Sequence, residues 1–156
     1  MHLRVFALLA LAAPVGRPND STSSDVPDPI AIDAQTWASS LGINLASFTR
    51  LGSGVYYLDT QVGTGATLTG TPTIRFFYTG YLANGTRFDT NVGAASPAQY
   101  SLAELIPGWN SGLQGMKVGG KRRLLIPSAL GYGPTGSGPI PPNANLVFDV
   151  ELFGIL

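Results

Sequence analysis

Aromatic and branched side chains stand at the ends of predicted structural elements, where a hydrophobic core usually gives way to a binding site. Trp109 begins a short predicted helix, Tyr132 stands at the entrance of a loop rich in Gly and Pro, and Ile140 lies inside that loop. A stiff loop above aromatic rings would enclose a dry site, which suits an apolar ligand with few hydrogen-bond donors. Each residue taken alone also fits an ordinary core. The full set is Tyr78, Phe88, Leu105, Ile106, Trp109, Tyr132, Ile140 and Phe148.

Asp89 is the carboxylate expected beside this aromatic set, because it directly follows Phe88 at the end of a predicted hairpin strand. An exposed acid in a turn is the alternative interpretation of Asp89. Glycoside hydrolysis would need a second carboxylate at a matched distance, and Glu104 is the nearby candidate. Nothing in the sequence directs Glu104 towards Asp89, and few polar residues surround them, so the sequence disfavours a glycosidase.

The composition excludes several other kinds of site. The chain has no cysteine, and its single histidine, His2, lies in an N-terminal stretch that we expect to be removed. This excludes thiol nucleophiles, Ser/His/Asp relays and zinc sites built from Cys or His. Nine Lys and Arg balance nine Asp and Glu, so the chain offers no basic surface to nucleic acid. The Gly-rich stretch 131–138 lacks the Gly-Lys-Ser/Thr ending of a phosphate-binding loop. We therefore expect no cofactor and no metal.

The elements that must position these side chains are mainly antiparallel strands. In the segment 73–82, Ile74, Phe76 and Tyr78 alternate with polar residues and should share the core face. The dipeptide Asn84-Gly85 predicts a tight hairpin after this strand. Further strands are predicted over residues 55–59, 86–89, 121–126 and 145–153, with one short helix from 107 to 115.

About five strands and one short helix predict an α+β fold in which the helix lies against one sheet. The charge run Lys121-Arg122-Arg123 begins one of the strands and predicts a solvent-exposed edge, with an anion site as the less favoured alternative.

The first residues predict an export signal. His2 and Arg4 precede the apolar run 5–13, which is too short to span a bilayer, and Ala10 and Ala12 supply small side chains for cleavage. The alternative is an N-terminal helix packed on the domain, which the following Pro14 and Gly16 disfavour. We predict a signal peptide over 1–12, a periplasmic or extracellular location, and no stable membrane insertion after the signal is removed.

The remaining chain divides by composition. Residues 13–30 combine Pro, Ser, Asp and Asn with few apolar side chains, which is typical of a disordered linker. Residues 31–52 form a lead-in segment that could hold a short helix or irregular structure. Residues 53–156 form the predicted domain.

Three segments of this domain carry a family likeness: FFYTGYLANGTRFD, LIPGWNSGLQGMKVGGKRRLLIPSALGYG and PIPPNANLVFDVEL. They resemble FKBP-type peptidyl-prolyl cis-trans isomerases. The resemblance implies a bent antiparallel sheet of about five strands wrapped around one short α-helix. It implies rotation of X-Pro bonds in exported, proline-containing polypeptides, without a cofactor or metal, by a monomer that macrolide inhibitors could also bind. A non-catalytic, chaperone-like peptide-binding domain is the alternative.

The resemblance also assigns roles to individual residues. Trp109 resembles the floor beneath the proline ring, while the backbone N–H of Ile106 and the hydroxyl of Tyr132 resemble the donors to substrate carbonyls. Ala98 stands where the family often carries a further pocket aromatic, which bears on substrate preference. The implied catalytic residues are Tyr78, Phe88, Asp89, Trp109, Tyr132 and Phe148. The implied substrate-binding residues are Leu105, Ile106 and Ile140.

Overall fold

The structure of the protein is a computed structural model that describes residues 26–156. The predicted signal peptide 1–12 and all but the last five residues of the predicted linker 13–30 lie outside the described residues. None of the helices within residues 26–156 is long and apolar enough to cross a membrane.

Within residues 26–156, seven antiparallel strands form one sheet, in the order β1-β2-β6-β7-β3-β4, with β5 paired to the other part of β3. The α-helix of this described part, α1, spans Pro107–Gly112 and lies against one face of the sheet. The predicted α+β fold is confirmed. The strands are β1 (Thr49–Arg50), β2 (Tyr56–Gln61), β3 (Thr73–Leu82), β4 (Arg87–Thr90), β5 (Ala98–Ser101), β6 (Lys121–Ile126) and β7 (Leu146–Ile155).

Two of the seven strands were not predicted, and both are short. β1 has two residues and β5 has four, so neither is long enough to show a clear alternation of apolar and polar side chains. Each strand exists because a longer neighbour, β2 or β3, offers it backbone partners. The strands β3 and β6 have the predicted bounds, and the alternation of apolar and polar side chains in β3 is visible in the sequence.

The hairpin between β3 and β4 forms at the predicted dipeptide. Gly85 adopts a positive φ of 87°, a conformation that residues with a Cβ atom rarely take. The N–H of Leu82 donates to the carbonyl of Thr86 at 2.9 Å and closes the turn. This turn brings Phe88 and Asp89 back alongside β3.

The helix α1 lies very close to β6 because two of its residues are glycines. A Cβ atom added to Gly108 would overlap Ile126, and one added to Gly112 would come within 2.8 Å of Leu124. Pro107 occupies the first turn of the helix, as predicted from its fixed φ. The helix ends at Gly112, three residues before the predicted end at Gly115.

The opposite face of the sheet is partly covered by the lead-in segment. Its residues form three 3-10 turns, Ile32–Ala34, Ser39–Leu41 and Leu45–Ser47. Apolar side chains of this segment pack against Tyr56, Leu125 and Val147, which form a second core cluster. Period-two alternation explains why there are two core clusters, because Leu124 and Leu125 are neighbours in β6 and face opposite sides of the sheet.

The prediction of a solvated edge at the charge run is wrong for Arg122. β6 lies between β2 and β7 rather than at an edge, and the Arg122 side chain is only 5% exposed. Alternation along β6 directs Arg122 to the helix side of the sheet and Arg123 to the side of the lead-in segment. Each arginine is tolerated because it forms a bidentate ion pair, Arg122 with Asp59 and Arg123 with Asp149.

Candidate functional site

Four separate elements bring aromatic rings to one place on the helix side of the sheet. β3 supplies Tyr78, β4 supplies Phe88, α1 supplies Trp109 and β7 supplies Phe148. Tyr78, Trp109 and Phe148 are fully buried, whereas Phe88 is half-buried. The residues that the sequence placed in one set are therefore spatial neighbours.

The rings meet mostly edge to face, which is a favourable arrangement for aromatic quadrupoles. The centroid of Trp109 lies 5.3 Å from that of Phe148 and 5.8 Å from that of Tyr78, with interplanar angles of 81° and 77°. Phe88 meets Phe148 at 5.6 Å and 90°. These contacts fix the orientation of the indole relative to its neighbours.

Gly80 allows this close approach. It lies in β3 opposite Asp89 of β4 on one side and Phe148 of β7 on the other. A Cβ atom at this position would come within 2.5 Å of the Phe88 ring and 2.9 Å of the Phe148 ring. The glycine of the Tyr-Thr-Gly-Tyr sequence therefore provides room for two rings of the site. The sequence interpretation did not single it out.

The carboxylate of Asp89 is held by two hydrogen bonds. The Tyr78 hydroxyl donates to Asp89 Oδ2 at 2.6 Å, and the N–H of Thr90 donates to Asp89 Oδ1 at 2.9 Å. Burial, reinforced by this hydrogen bond and by the negative charge of Asp89, raises the pKa of Tyr78. The Tyr78 hydroxyl is therefore a proton donor throughout the physiological range.

The loop between β6 and β7 carries Tyr132 and Ile140. Ile140 is 2% exposed and belongs to the same core cluster as the rings, and Tyr132 packs against that cluster. Burial, with a smaller contribution from the charge of Asp89, raises the pKa of Tyr132. Reciprocal backbone hydrogen bonds of 2.9 and 2.8 Å between Ser137 and Ile140 stiffen the loop.

Leu105 and Ile106 lie between a capped 3-10 turn and the helix. In that turn, Leu102–Glu104, the Ser101 side chain and the Glu104 carboxylate form a capping box. Among the residues that the structure describes, no oxygen accepts a hydrogen bond from the backbone N–H of Ile106. Within residues 26–156, this N–H is therefore available to donate to a ligand carbonyl.

The glycosidase alternative gains no support from the geometry. Glu104 is exposed, and its carboxylate accepts a hydrogen bond from the N–H of Ser101 at 3.2 Å. Asp89 is engaged with Tyr78 instead. Within residues 26–156 no group of three or more His, Cys, Asp or Glu side chains is placed to hold a metal ion.

Three residues of the site were missed as site residues by sequence reasoning. Phe76 is fully buried and meets Trp109 at 5.0 Å, and Tyr100 meets Phe76 at 6.4 Å. Asn91 fixes the β3 backbone here, because its side chain accepts from the N–H of Tyr78 at 2.7 Å and donates to the carbonyl of Phe76 at 3.0 Å. The alternation of β3 already placed Phe76 beside Tyr78, whereas nothing in the sequence identified Asn91.

Ala98 lies in β5 directly opposite Phe76. It lines a cleft of about 650 Å³ that is formed by residues 90–92 and 94–100. The small side chain therefore stands at the border between this cleft and the aromatic cluster.

The family model of FKBP-type peptidyl-prolyl cis-trans isomerases matches residues 65–153. The chain belongs to this family. The matched range contains every ring of the aromatic cluster, together with the loop that carries Tyr132. The resemblance that the three sequence segments indicated is confirmed.

Individual relatives agree with the family model. The chain is 48% identical over 103 residues to an FKBP-type peptidyl-prolyl cis-trans isomerase FkpA of Aeromonas hydrophila, which covers 66% of this chain and 38% of the relative. It is 44% identical over 105 residues to an FK506-binding protein of Neisseria meningitidis, covering 65% of this chain and 96% of the relative. The chain thus spans less than half of the FkpA relative but nearly all of the shorter FKBP relative.

Solved FKBP structures share the fold. The crystal structure of FkpA from Escherichia coli matches with a TM-score of 0.67 and 35% identity, covering 75% of this chain and 55% of that one. A peptidyl-prolyl cis-trans isomerase from Pseudomonas syringae matches with a TM-score of 0.64 and 34% identity, covering 70% of this chain and 80% of that one.

Proposed function

We propose that this FKBP-type chain accelerates cis-trans isomerisation of X-Pro bonds in polypeptides. The observation that carries the proposal is the packing of Tyr78 and Phe148 against Trp109 and of Phe88 against Phe148, together with the N–H of Ile106 at the start of the helix that carries Trp109. Together these side chains form an apolar, aromatic cluster with few, oriented hydrogen-bond donors, and Phe88 and Tyr132 are its partly exposed members. Such a cluster can seat a proline ring where these members reach the surface, and its donors can hold the neighbouring carbonyl groups.

The physical basis of catalysis is the difference in polarity between the planar and the twisted amide. Rotation about an X-Pro bond crosses a barrier of ~18 to 20 kcal/mol because it breaks amide resonance. The planar amide has a large dipole that water stabilises, whereas the twisted transition state has lost much of that charge separation. A dry aromatic site therefore favours the twisted form relative to the planar one. No proton donor, cofactor or metal is required in this mechanism.

The individual residues supply the site's geometry. We assign the floor to Trp109, and Tyr78, Phe88 and Phe148 are its walls. Leu105, Ile106 and Ile140 line the bound peptide, and Asp89 orients the Tyr78 hydroxyl. The Ile106 N–H and the Tyr132 hydroxyl hold the carbonyls on either side of the rotating bond, which adds a positional contribution.

We further propose that the isomerase domain spans residues 53–156, preceded by a cleaved signal 1–12, a linker 13–30 and the lead-in segment 31–52. The short apolar run after Arg4 supports export to the periplasm or the extracellular space, where the substrates are proline-containing exported polypeptides. The same site would accept macrolide inhibitors. The protein is expected to act as a monomer.

Exchange spectroscopy on a short X-Pro peptide tests the activity. The full chain at micromolar concentration is expected to broaden or exchange the cis and trans proline resonances. Peptide binding without faster exchange would reject catalysis and select a chaperone-like binding domain. Failure of both binding and exchange would reject the assignment of the aromatic site itself.

A further inference from the structure

The guanidinium group of Arg122 joins the helix α1 to the sheet. Its Nη1 donates to the backbone carbonyls of Gly112 and Gln114, each at 2.9 Å. Its Nε and Nη2 donate to the Asp59 carboxylate at 2.7 and 3.1 Å. The group also stacks on the Tyr57 ring, 4.3 Å from the centroid. This buried side chain of β6 therefore contacts both β2 and the C-terminal end of the helix.

The helix depends on such tertiary contacts for its position. It has six residues and no side-chain cap at its N-terminus, and isolated helices of this length are unstable in water. At its C-terminal end the Gln114 side chain donates to the carbonyl of Asn110 at 2.8 Å, and Arg122 donates to that of Gly112. These bonds satisfy carbonyls that have no partner inside the helix.

Trp109 is close enough to Gly112 to follow any movement at that end. The two residues are separated by about 4.5 Å along the helix axis, since each residue rises by about 1.5 Å. The carbonyl of Trp109 accepts a hydrogen bond from the N–H of Leu113 at 3.0 Å, within the turn that Arg122 holds. The carbonyl of Ile106 accepts from the N–H of Trp109 at 2.9 Å, which couples Ile106 to the same turn.

We infer that Arg122 is a positioning residue for the proposed proline site: its bonds to Gly112, Gln114 and Asp59 fix the helix that places Trp109 and Ile106. This inference rests on the proposed isomerase function. Arg122 does not touch the ring cluster and acts through the helix. Its loss would displace the indole and the Ile106 N–H while leaving the strands in place.

Arg123 provides a matched control. It is the next residue of β6 and forms the same bidentate ion pair, donating to Asp149 at 2.7 and 3.0 Å. It also donates to a backbone carbonyl, that of Leu41. Its side chain lies on the lead-in side of the sheet, so it shares the chemistry of Arg122 but does not contact the helix.

The test compares Arg122→Met, Arg122→Lys and Arg123→Met in the full chain carrying Trp37→Phe, so that fluorescence reports Trp109 alone. Thermal unfolding, Trp109 emission and kcat/KM for an X-Pro peptide are measured for each. We expect both Arg122 variants to shift the emission, and Arg122→Met to lower kcat/KM by about ten- to a hundredfold. Arg122→Lys keeps the charge but cannot bind the Asp59 carboxylate and the helix carbonyls at the same time. Its decrease in kcat/KM should therefore be smaller than that of Arg122→Met. Arg123→Met should lower Tm only.

Native Trp109 emission and native kcat/KM in folded Arg122 variants would overturn the inference, as would equal losses in Arg123→Met. If Arg122→Met does not fold, Arg122→Lys decides by the same two readouts. An inactive parent protein would reject the proposed function, whereas the emission comparison would still decide whether Arg122 positions Trp109.

Discussion

The Tyr78 hydroxyl donates a 2.6 Å hydrogen bond to the Asp89 carboxylate, and this bond joins the wall of the aromatic cluster to β4. Tyr78 is fully buried, whereas Asp89 is half-exposed. An apolar site thus keeps one negative charge at its rim without placing an unpaired charge among its rings. Tyr132, on the opposite loop, also lies within the field of this carboxylate.

Removing the Tyr78–Asp89 hydrogen bond should lower the stability of the protein by a small but measurable amount. In Tyr78→Phe the ring remains and Asp89 can turn to water, so we expect the free energy of unfolding to fall by about 1 kcal/mol. Chemical denaturation measures the change. Tyr81→Phe, on the lead-in side of the same strand, is the control and should change stability by less than about 0.5 kcal/mol. Equal effects of the two variants would contradict the role assigned to the bond.

Alkaline pH should destabilise the protein through its buried tyrosines. Tyr78 and Tyr132 have raised pKa values in the folded state, so they stay protonated there while the unfolded chain loses these protons near a pH of about 10. The two tyrosines make their full contribution to stability below that pH, and the free energy of unfolding should fall as pH rises above it.

Denaturation at a series of pH values checks this expectation. Tyr78→Phe should flatten the alkaline decline, because one of the two groups is gone. Parallel declines in the parent and the variant would show that Tyr78 ionises equally well in both states.

Gly80→Ala should disturb the site directly. The new methyl group would overlap the Phe88 and Phe148 rings, and overpacking of this kind costs about 1–3 kcal/mol. We expect lower stability and slower X-Pro isomerisation. Gly154→Ala in β7 is the matched control, since its nearest neighbour would be 3.9 Å away. Wild-type activity in folded Gly80→Ala would show that ring placement is not critical.

Trp109→Phe should slow isomerisation severalfold, because the smaller ring leaves part of the proposed floor empty. The loss of stability should be less than the roughly 3–5 kcal/mol that truncation to alanine costs. Trp37→Phe changes the other tryptophan, which packs on the opposite face of the sheet, and should leave kcat/KM unchanged. Both variants are assayed after folding has been verified by circular dichroism. A similar loss in both would argue against a floor at Trp109.

The strand β3 was predictable because its period-two alternation and the Asn84-Gly85 turn that follows it are local signals. β1 and β5 were not, because their pairing partners, and not their own residues, make them strands. Arg122 shows the same limit. Three adjacent charged residues predict an exposed edge, but in the fold β6 has a strand on each side and the Arg122 side chain is covered by the helix.

Residue types and local spacing were enough to predict the set of aromatic side chains, the Asn84-Gly85 turn and the lack of thiol or imidazole chemistry in the domain. The three-dimensional structure was needed to show that Tyr78 binds Asp89, that Gly80 makes room for two rings, and that Arg122 contacts the end of the helix. These contacts join residues that are distant in the chain or lie on different strands. Their geometry is fixed by sheet register and helix packing, which no local pattern encodes.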